Sequence, residues 1–329
     1  MNSAVVAFER GASFTILPGT TMGLPYAYTG TPGVYFYSLG NYGTGSIAHD
    51  VQPNIGKGPG SVNIDVADEI PAFVWTTPYK IFGATYAVLL AQPIAAVSGY
   101  GPVPGAGYVR SQGGGFRNTF MSPITLSWDL GNGFHIGSGF NMAVPDARTT
   151  GINGLDSAGQ PYWTLEPNIG ISYLHDGFDL SATMLYDIYT RNTYSNVLDG
   201  QAMMIDFTAT KKFQHIEIGP VGYLAFQTTR DSGGNPLGFL TSNGAVNSCE
   251  PEPGGIFNSC VRAAKAGVGG KLGYDFGRGE IAVLATQSVY HHGQGATDGW
   301  RIWTQLSFKL YDDKLSPPLA APFVDSLLK

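Results

Sequence analysis

The stretch that decides the fold is residues 178–188, which read FDLSATMLYDI. Every second residue from Phe178 is apolar, and the residues between them include two carboxylates and two hydroxyls. Side chains of a β-strand point alternately to opposite faces, so this period of two predicts a strand with one apolar and one polar face. The same alternation recurs in residues 201–210 and 300–310.

About twelve segments of this kind follow one another along the chain. Several are about as long as a tilted membrane-spanning strand, about nine to eleven residues, whereas strands in soluble sheets average about five or six. The predicted strands begin near Gly33, Ser61, Tyr79, Asn118, Gly133, Tyr162, Gly177, Gly200, Phe213, Arg262, Gly279 and Asp298.

The connections between these segments alternate between short turns and long loops. The short turns are predicted at residues 77–78, 131–132, 175–176, 211–212 and 277–278. This alternation is typical of outer-membrane barrels, and an even strand number places both termini on the periplasmic side. We therefore predict an all-β fold, a transmembrane antiparallel up-and-down β-barrel of about 12 strands. A soluble β-sandwich also has alternating strands, but the strand lengths and the aromatic residues at strand ends favour the membrane.

The composition agrees with a barrel. Charged residues make up 13% of the chain, against about 25% in soluble domains, and there are 46 glycines and 18 tyrosines. The longest apolar run, residues 82–97, contains Gln92 and Pro93 and is too short for a membrane helix. A net charge of −6 without a basic run argues against a nucleic-acid partner. No secretory signal opens the chain, so we expect a mature form of an exported protein.

We expect three parts: an N-terminal plug or constriction segment (1–30), the barrel (31–311) and a periplasmic C-terminal tail (312–329). The first part contains Phe14, Leu17, Leu24 and Tyr26, and is too apolar for a solvated tail. We therefore expect it inside the lumen, with a disordered periplasmic extension as the alternative.

The inward faces of the predicted strands are largely polar. Ion pairs that hold the wall together are one interpretation, and a polar constriction that selects solutes is the other. The third strand differs, because Thr85 and Leu89 belong to an apolar inward strip that suits an aromatic solute. The predicted lumen-lining residues are Asp65, Glu69, Thr85, Leu89, Glu166, Asn168, Asp179, Asp187, Asp206, His215, Glu217, Lys265, Lys271 and Arg301.

The second predicted strand contains one conflict. Its alternation puts Asp68 on the outward, lipid-facing side, where a carboxylate is costly. A bulge, or a shift at Pro71, would turn this carboxylate inward. The sequence leaves both arrangements open.

Cys249 and Cys260 lie in a loop rich in Gly, Asn, Ser and Pro. We expect a disulfide that closes this loop outside the cytosol, because a zinc site would need further ligands nearby. We expect no metal and no cofactor. We also expect no enzyme activity, since the histidines lack a neighbouring serine or cysteine in a nucleophile motif.

Several segments resemble the outer-membrane family named for the meta-pathway of phenol degradation. The resemblance covers GASFTILPG (11–19), GTPGVYFYSLGNYGTG (30–45), PAFVWTTPYKIFGATYA (71–87), SPITLSWDLGNGFHIGSGFNMAVP (122–145), VGYLAFQTTRDSGG (221–234) and GVGGKLGYDFGRGEIAV (267–283). It implies a barrel channel associated with the breakdown of aromatic and other apolar compounds. The chain departs from many barrels at its end, where a tail follows the last strand in place of a terminal aromatic residue.

These observations together predict a monomeric channel of the bacterial outer membrane. Its partners would be small apolar or aromatic solutes, taken up by diffusion, and the surrounding lipid and lipopolysaccharide. A general porin, or one selective for sugars or acids, is the alternative. An adhesin or purely structural barrel is the third possibility.

Overall fold

The computed structural model describes residues 14–46, 63–103, 107–147, 159–193, 196–233, 262–292 and 299–313. All regular elements in these ranges are β-strands, and none of the ranges holds a helix long and apolar enough to cross a membrane. The strands are β1 (Gly33–Ser46), β2 (Asn63–Ile81), β3 (Ala84–Ala91), β4 (Ile94–Val103), β5 (Gly107–Phe116), β6 (Phe120–Gly131), β7 (Phe134–Ala143), β8 (Thr164–His175), β9 (Phe178–Tyr189), β10 (Val197–Leu198), β11 (Ala202–Phe213), β12 (Ile216–Gln227), β13 (Ser232–Gly233), β14 (Ala264–Asp275), β15 (Gly279–His292) and β16 (Trp300–Asp312).

Twelve of these strands form one closed antiparallel ring. Its order is β1, β2, β3, β6, β7, β8, β9, β11, β12, β14, β15, β16 and back to β1. The ring closes because β1 pairs with both β2 and β16, with Gly33 opposite Asp312 and Thr44 opposite Trp300. Each wall strand therefore has a partner on both sides, and no strand edge faces the membrane. The predicted 12-stranded barrel is confirmed.

The remaining strands lie outside this ring. The first half of β2 pairs with β4 and its second half pairs with β3, so β3 and β4 lie end to end along one neighbour. Gln92 and Pro93 separate them, since a proline has no backbone N–H for the ladder. The hairpin of β4 and β5 continues the wall beyond the ring at the end that carries the long loops.

Five tight turns join the ring strands at the opposite end, hereafter the short-turn end. In three of them a residue with positive φ precedes a glycine with positive φ, namely Phe82–Gly83, Asn132–Gly133 and Asp176–Gly177. This pair of conformations matches the twist of a two-residue hairpin. The fourth turn is at residues 214–215 and the fifth at residues 276–278.

Two of the turn predictions were displaced. The turn expected at residues 77–78 lies at residues 82–83, so the third ring strand begins at Ala84. The reason is that β2 runs on through Pro78: the Thr77 hydroxyl donates to the carbonyl of Tyr86 (2.8 Å) and accepts from the Tyr79 amide (3.2 Å). The turn expected at residues 211–212 lies at residues 214–215, because both lysines continue β11.

The faces of β9 agree with the sequence pattern. Phe178, Leu180 and Met184 are exposed on the outer surface, whereas Asp187 and Thr183 are buried inside. Exposed large apolar side chains recur all around the ring, as a lipid-facing belt requires.

The predicted faces of β2 were reversed. Asp68 lies opposite Asn41 on the inner face and is buried, so the inward arrangement is the correct one. Asp65 and Glu69, predicted to line the lumen, belong to the outer face, where Glu69 accepts a hydrogen bond from Ser38. The alternation itself continues without interruption past Pro71. The physical reason is that this register places Phe73 and Trp75 in lipid and lets Asp68 find polar partners inside.

Some predictions fall outside the described residues. They are the disulfide between Cys249 and Cys260, residues 1–13 of the N-terminal part and residues 314–329 of the tail. The structure therefore gives the disulfide no support.

Because the outer side chains face lipid, a charge placed on one of them should destabilise the barrel more at mid-membrane than near the membrane surface. Val283 and Ile216 both lie on the outer surface and are each 49% exposed, but Val283 lies mid-strand and Ile216 next to a turn. Val283→Lys should lower the free energy of unfolding by about 2–4 kcal/mol and Ile216→Lys by about 0–1 kcal/mol. Urea unfolding of the protein in lipid vesicles measures both. Equal costs at the two positions would contradict the proposed depth of β15.

Candidate functional site

The lumen contains part of the chain itself. Residues 14–32, here called the luminal segment, run through the barrel before β1 begins. Thr15 accepts a hydrogen bond from Thr164 near the long-loop end (2.8 Å), and the carbonyl of Thr29 accepts one from Thr76 nearer the short-turn end (2.5 Å). The segment thus descends through most of the height of the wall. Of the predicted N-terminal part, the described residues 14–30 therefore lie in the lumen.

The carboxylate of Asp206, on β11, is the main attachment of the luminal segment. It accepts hydrogen bonds from the amide of Gly19 (3.0 Å), the amide of Thr21 (2.9 Å) and the hydroxyl of Thr21 (2.7 Å). Next to it, the Thr208 hydroxyl accepts from the amide of Gly23 (2.8 Å). Hydrogen bonds to an ionised acceptor are about twice as strong as neutral ones, so Asp206 holds the segment against this wall.

Other strands bind the carbonyls of the segment. Lys271 on β14 donates to the carbonyl of Gly23 (2.8 Å), and Gln305 on β16 donates to that of Met22 (2.6 Å). Lower in the barrel, Ser127 on β6 donates to the carbonyl of Ala27 (2.6 Å). The segment forms turns in place of a helix or strand, and wall side chains supply the partners for several of its amides and carbonyls.

The predicted plug residues take part in apolar packing against the wall. Phe14 is 5% exposed and lies in a cluster with Tyr162, Leu185, Tyr189 and Met204, against which Tyr26 also packs. Leu17 packs against a second cluster formed by Met22, Val221, Tyr223, Leu284 and Trp303. Leu24 is partly buried. Wall glycines make room for the segment: a Cβ on Gly137 would lie 2.8 Å from the Cα of Ala27.

Most of the predicted lumen-lining residues do lie on the inner face. Glu166, Asn168, Asp187, Asp206, Glu217 and Lys271 are buried there, and Asp179, Lys265 and Arg301 belong to the same faces of their strands. Thr85 lies opposite Ser127 and Leu89 opposite Ser122, both inward. His215 is an exception, because it sits exposed in the turn between β11 and β12 with its ring against Tyr274.

Many of these polar residues bind one another. Lys271 lies 3.0 Å from Glu217 and 2.6 Å from Glu280, Asn141 donates to Glu166 (2.6 Å), and Tyr189 donates to Asp187 (2.7 Å). These contacts favour the interpretation of the charges on β8–β14 as wall networks.

Sequence reasoning missed a polar network on the other side of the lumen. The Nε–H of Arg117 donates to Asp68 (2.7 Å), Asn41 donates to the second oxygen of Asp68 (3.1 Å), and Arg301 donates to the Asn41 carbonyl oxygen (2.6 Å). Asn41, Asp68, Arg117 and Arg301 are here called the arginine network. Arg117 follows β5 directly, and the pairing of β2 with β4 and of β4 with β5 brings it next to Asp68.

Below this network, the inner face of β1–β3 is apolar. These inward residues, here called the apolar strip, are Tyr37, Leu39, Ile70, Ala72, Val74, Leu89 and Ala91. Leu39, Ile70, Val74 and Leu89 remain partly accessible, whereas the inward residues of β8 and β11 are mostly buried. A residue on the inner face can be accessible only from the lumen, so space remains beside β1–β3. Within the described residues, the hydrogen bonds from the luminal segment to these strands involve Thr76 and Tyr35, near the short-turn end.

A metal site or a histidine-based catalytic site requires suitable side chains that lie close together. Among the described residues, no group of three or more His, Cys, Asp or Glu side chains could hold a metal ion. Of the described histidines, His135 is buried beneath Tyr28, His215 lies in a turn, and His291 and His292 end β15.

The comparisons with known proteins agree with this architecture. A family model described as putative MetA-pathway of phenol degradation matches residues 37–248, more than half of the chain. The chain belongs to that family. Among curated proteins, none matches it at a significant level.

Solved structures similar to this member of the phenol-degradation family are outer-membrane barrels. An outer membrane channel from Pseudomonas putida has a TM-score of 0.63 at 10% identity, covering 89% of this chain and 99% of that one. The transport unit of the autotransporter AIDA-I from Escherichia coli has a TM-score of 0.46 at 9% identity, covering 85% of this chain and 90% of that one. The first similarity shows that the two chains share a fold.

Removal of the luminal segment should open the pore. We expect deletion of residues 2–29 to raise single-channel conductance severalfold, because residues 14–29 fill part of the lumen. The exposed polar groups of the wall would bind water, so the barrel should still assemble. Planar-bilayer recordings measure the conductance, and a truncated channel that conducts like the intact one would show that the segment does not limit flow.

The attachment at Asp206 can be tested without a deletion. Asp206→Asn keeps the shape of the side chain but removes its charge, so the segment should detach more often and the current should fluctuate between two levels. Asp179→Asn is the matched control, because Asp179 bonds Ser181 and not the segment. Identical current traces for the two variants would contradict an attachment role for Asp206.

Proposed function

We propose that this protein is an outer-membrane channel through which small, largely apolar or aromatic molecules diffuse inward. The observation that carries the proposal is the partly accessible apolar strip on β1–β3 inside an otherwise polar lumen. A solute that crosses beside Leu39, Ile70, Val74 and Leu89 exchanges contact with water for contact with apolar side chains. This favours apolar solutes by about 25 cal/mol per Å² of apolar surface removed from water.

The luminal segment supports the same proposal. It binds Asp206 and Lys271 on the inner faces of β11 and β14, and most of the charged residues on the inner faces of β8–β14 are buried. A sugar-selective passage needs several accessible hydrogen-bonding side chains, and the accessible wall of β1–β3 offers mostly hydrocarbon. The general or sugar-type porin is therefore the second candidate.

The family description and the fold support the location. A closed barrel with an apolar outer belt and short turns at one end fits the bacterial outer membrane, with the short-turn end in the periplasm. We propose a monomer that contacts lipid and lipopolysaccharide through this belt. We also propose the division into a luminal part up to residue 30, the barrel, and a periplasmic tail from residue 312.

The biochemical prediction concerns Leu89. Leu89→Gln should reduce the uptake of a neutral aromatic such as xylene severalfold, since it puts an amide into the apolar strip. Uptake is measured in cells with an intact lipopolysaccharide leaflet that express the protein, against cells without it. Leu90→Gln is the matched control, because Leu90 is the next residue and faces outward (53% exposed).

Sugar flux into liposomes gives the second readout. If the purified protein passes a pentose readily and expressing cells take up xylene no faster than cells without it, the channel is a sugar-type porin. If both aromatic uptake and sugar flux are absent, the structural-barrel alternative holds.

A further inference from the structure

The arginine network lies at the long-loop end of the apolar strip. Asn41 follows Leu39 by two residues on β1, and Asp68 precedes Ile70 by two residues on β2, so each pair shares the inner face of its strand. A solute that enters from the long-loop end would therefore meet the arginines first and the apolar strip directly afterwards.

The network contains more positive than negative charge. Arg117 and Arg301 are two guanidinium groups, and Asp68 is the one carboxylate that either of them contacts among the described residues. Arg301 donates to Asn41, which is neutral. Among the described residues, the network therefore carries one more positive than negative charge, and a buried charge requires a partner or water.

Both guanidinium groups have N–H donors that bond no described protein acceptor. Each guanidinium carries five N–H donors in a planar fork, and the described protein acceptors use one donor on each: Nε of Arg117 and one terminal nitrogen of Arg301. The Arg117 side chain is 28% exposed. Its terminal nitrogens are thus available to an anion in the lumen.

The surroundings of Arg301 fix its position and are aromatic. A Cβ on Gly43 would lie 3.1 Å from the guanidinium carbon, so the absence of a side chain at Gly43 lets the Arg301 side chain lie close against the β1 backbone. The guanidinium carbon is also 5.6 Å from the ring centre of Trp303. Such a fixed, planar guanidinium is suited to two parallel hydrogen bonds with a carboxylate.

From this arrangement we propose that Arg117 and Arg301 form an anion-binding site that selects aromatic carboxylates for the passage. The carboxylate would bind the guanidinium groups, and the ring would contact Leu39 and Ile70 of the apolar strip. Asp206 and Glu166 have partners of their own, because Asp206 binds the luminal segment and Glu166 is buried and accepts a hydrogen bond from Asn141. This inference rests on the proposed passage of aromatic molecules beside β1–β3 and names the charge of the preferred solute.

The test uses the full-length protein in planar bilayers with benzoate as the probe. Benzoate added on the long-loop side should interrupt the potassium chloride current reversibly, while benzyl alcohol and benzylammonium should not. Arg301→Gln should raise the half-blocking concentration of benzoate at least tenfold, because it removes a charge-assisted contact. Lys211→Gln is the matched control, because it removes the same charge from the outer wall, where Lys211 lies over Phe178. It should leave the half-blocking concentration of benzoate unchanged.

A second variant covers the case in which Arg301→Gln fails to assemble. Asp68→Asn combined with Arg117→Gln removes both partners of the ion pair, so neither of them is left without its counter-charge. This double variant should also weaken the block by benzoate. Equal block in the wild type and these variants would overturn the proposal, as would block of the same strength by benzyl alcohol. Failure of the proposed function is distinguishable, because xylene uptake by cells would then be absent whichever residue stands at position 301.

Discussion

The pairing of backbone groups in lipid is the constraint on which the rest of this structure depends. Hydrocarbon offers no hydrogen bonds, so every wall strand needs a neighbour on both sides. The pairing of β1 with β16 meets this requirement and sets the two ends of the barrel sequence side by side. The amide of Asp313 donates to the carbonyl of Pro32 at the same place (3.3 Å). Closure therefore places the chain that precedes Gly33 at the mouth of the lumen.

The luminal segment explains why the interior of this barrel is so polar. Side chains can fill the inside of a barrel of about eight strands, but a ring of twelve is wider. Here a peptide without regular structure occupies part of that space, and its amides and carbonyls need partners. Asp206, Lys271 and Gln305 supply them. Several residues that look in the sequence like the lining of an aqueous pore thus act as the binding surface for another part of the chain.

The consequence is a lumen with two unlike halves. The inner faces of β8–β14 carry mostly buried charges, two of which bind the luminal segment. The inner face of β1–β3 carries accessible hydrocarbon below two arginines. An apolar ring and a carboxylate would each find a suitable wall on the second half. This division depends on the position of a segment only nineteen residues long in its described part, residues 14–32.

The sequence by itself determined the class of fold, the number of ring strands and the faces of strands with a strict alternation. In β9 the apolar set is uninterrupted, and lipid on one side leaves a single arrangement possible. It also indicated that residues such as Phe14 and Tyr26 would be buried, because a solvated tail does not contain them.

Tertiary structure decided the features that depend on register between strands. In β2 both alternating sets contain apolar and charged residues, so Asp68 and Glu69 could each face inward. Pairing with β1 decided between them, by placing Phe73 and Trp75 in lipid and Asp68 beside Asn41. The arginine network could not be found from the sequence either, since its four members are spread along the chain from Asn41 to Arg301. They meet only because the ring closes through β1 and because β4 and β5 return the chain to Arg117 beside β2.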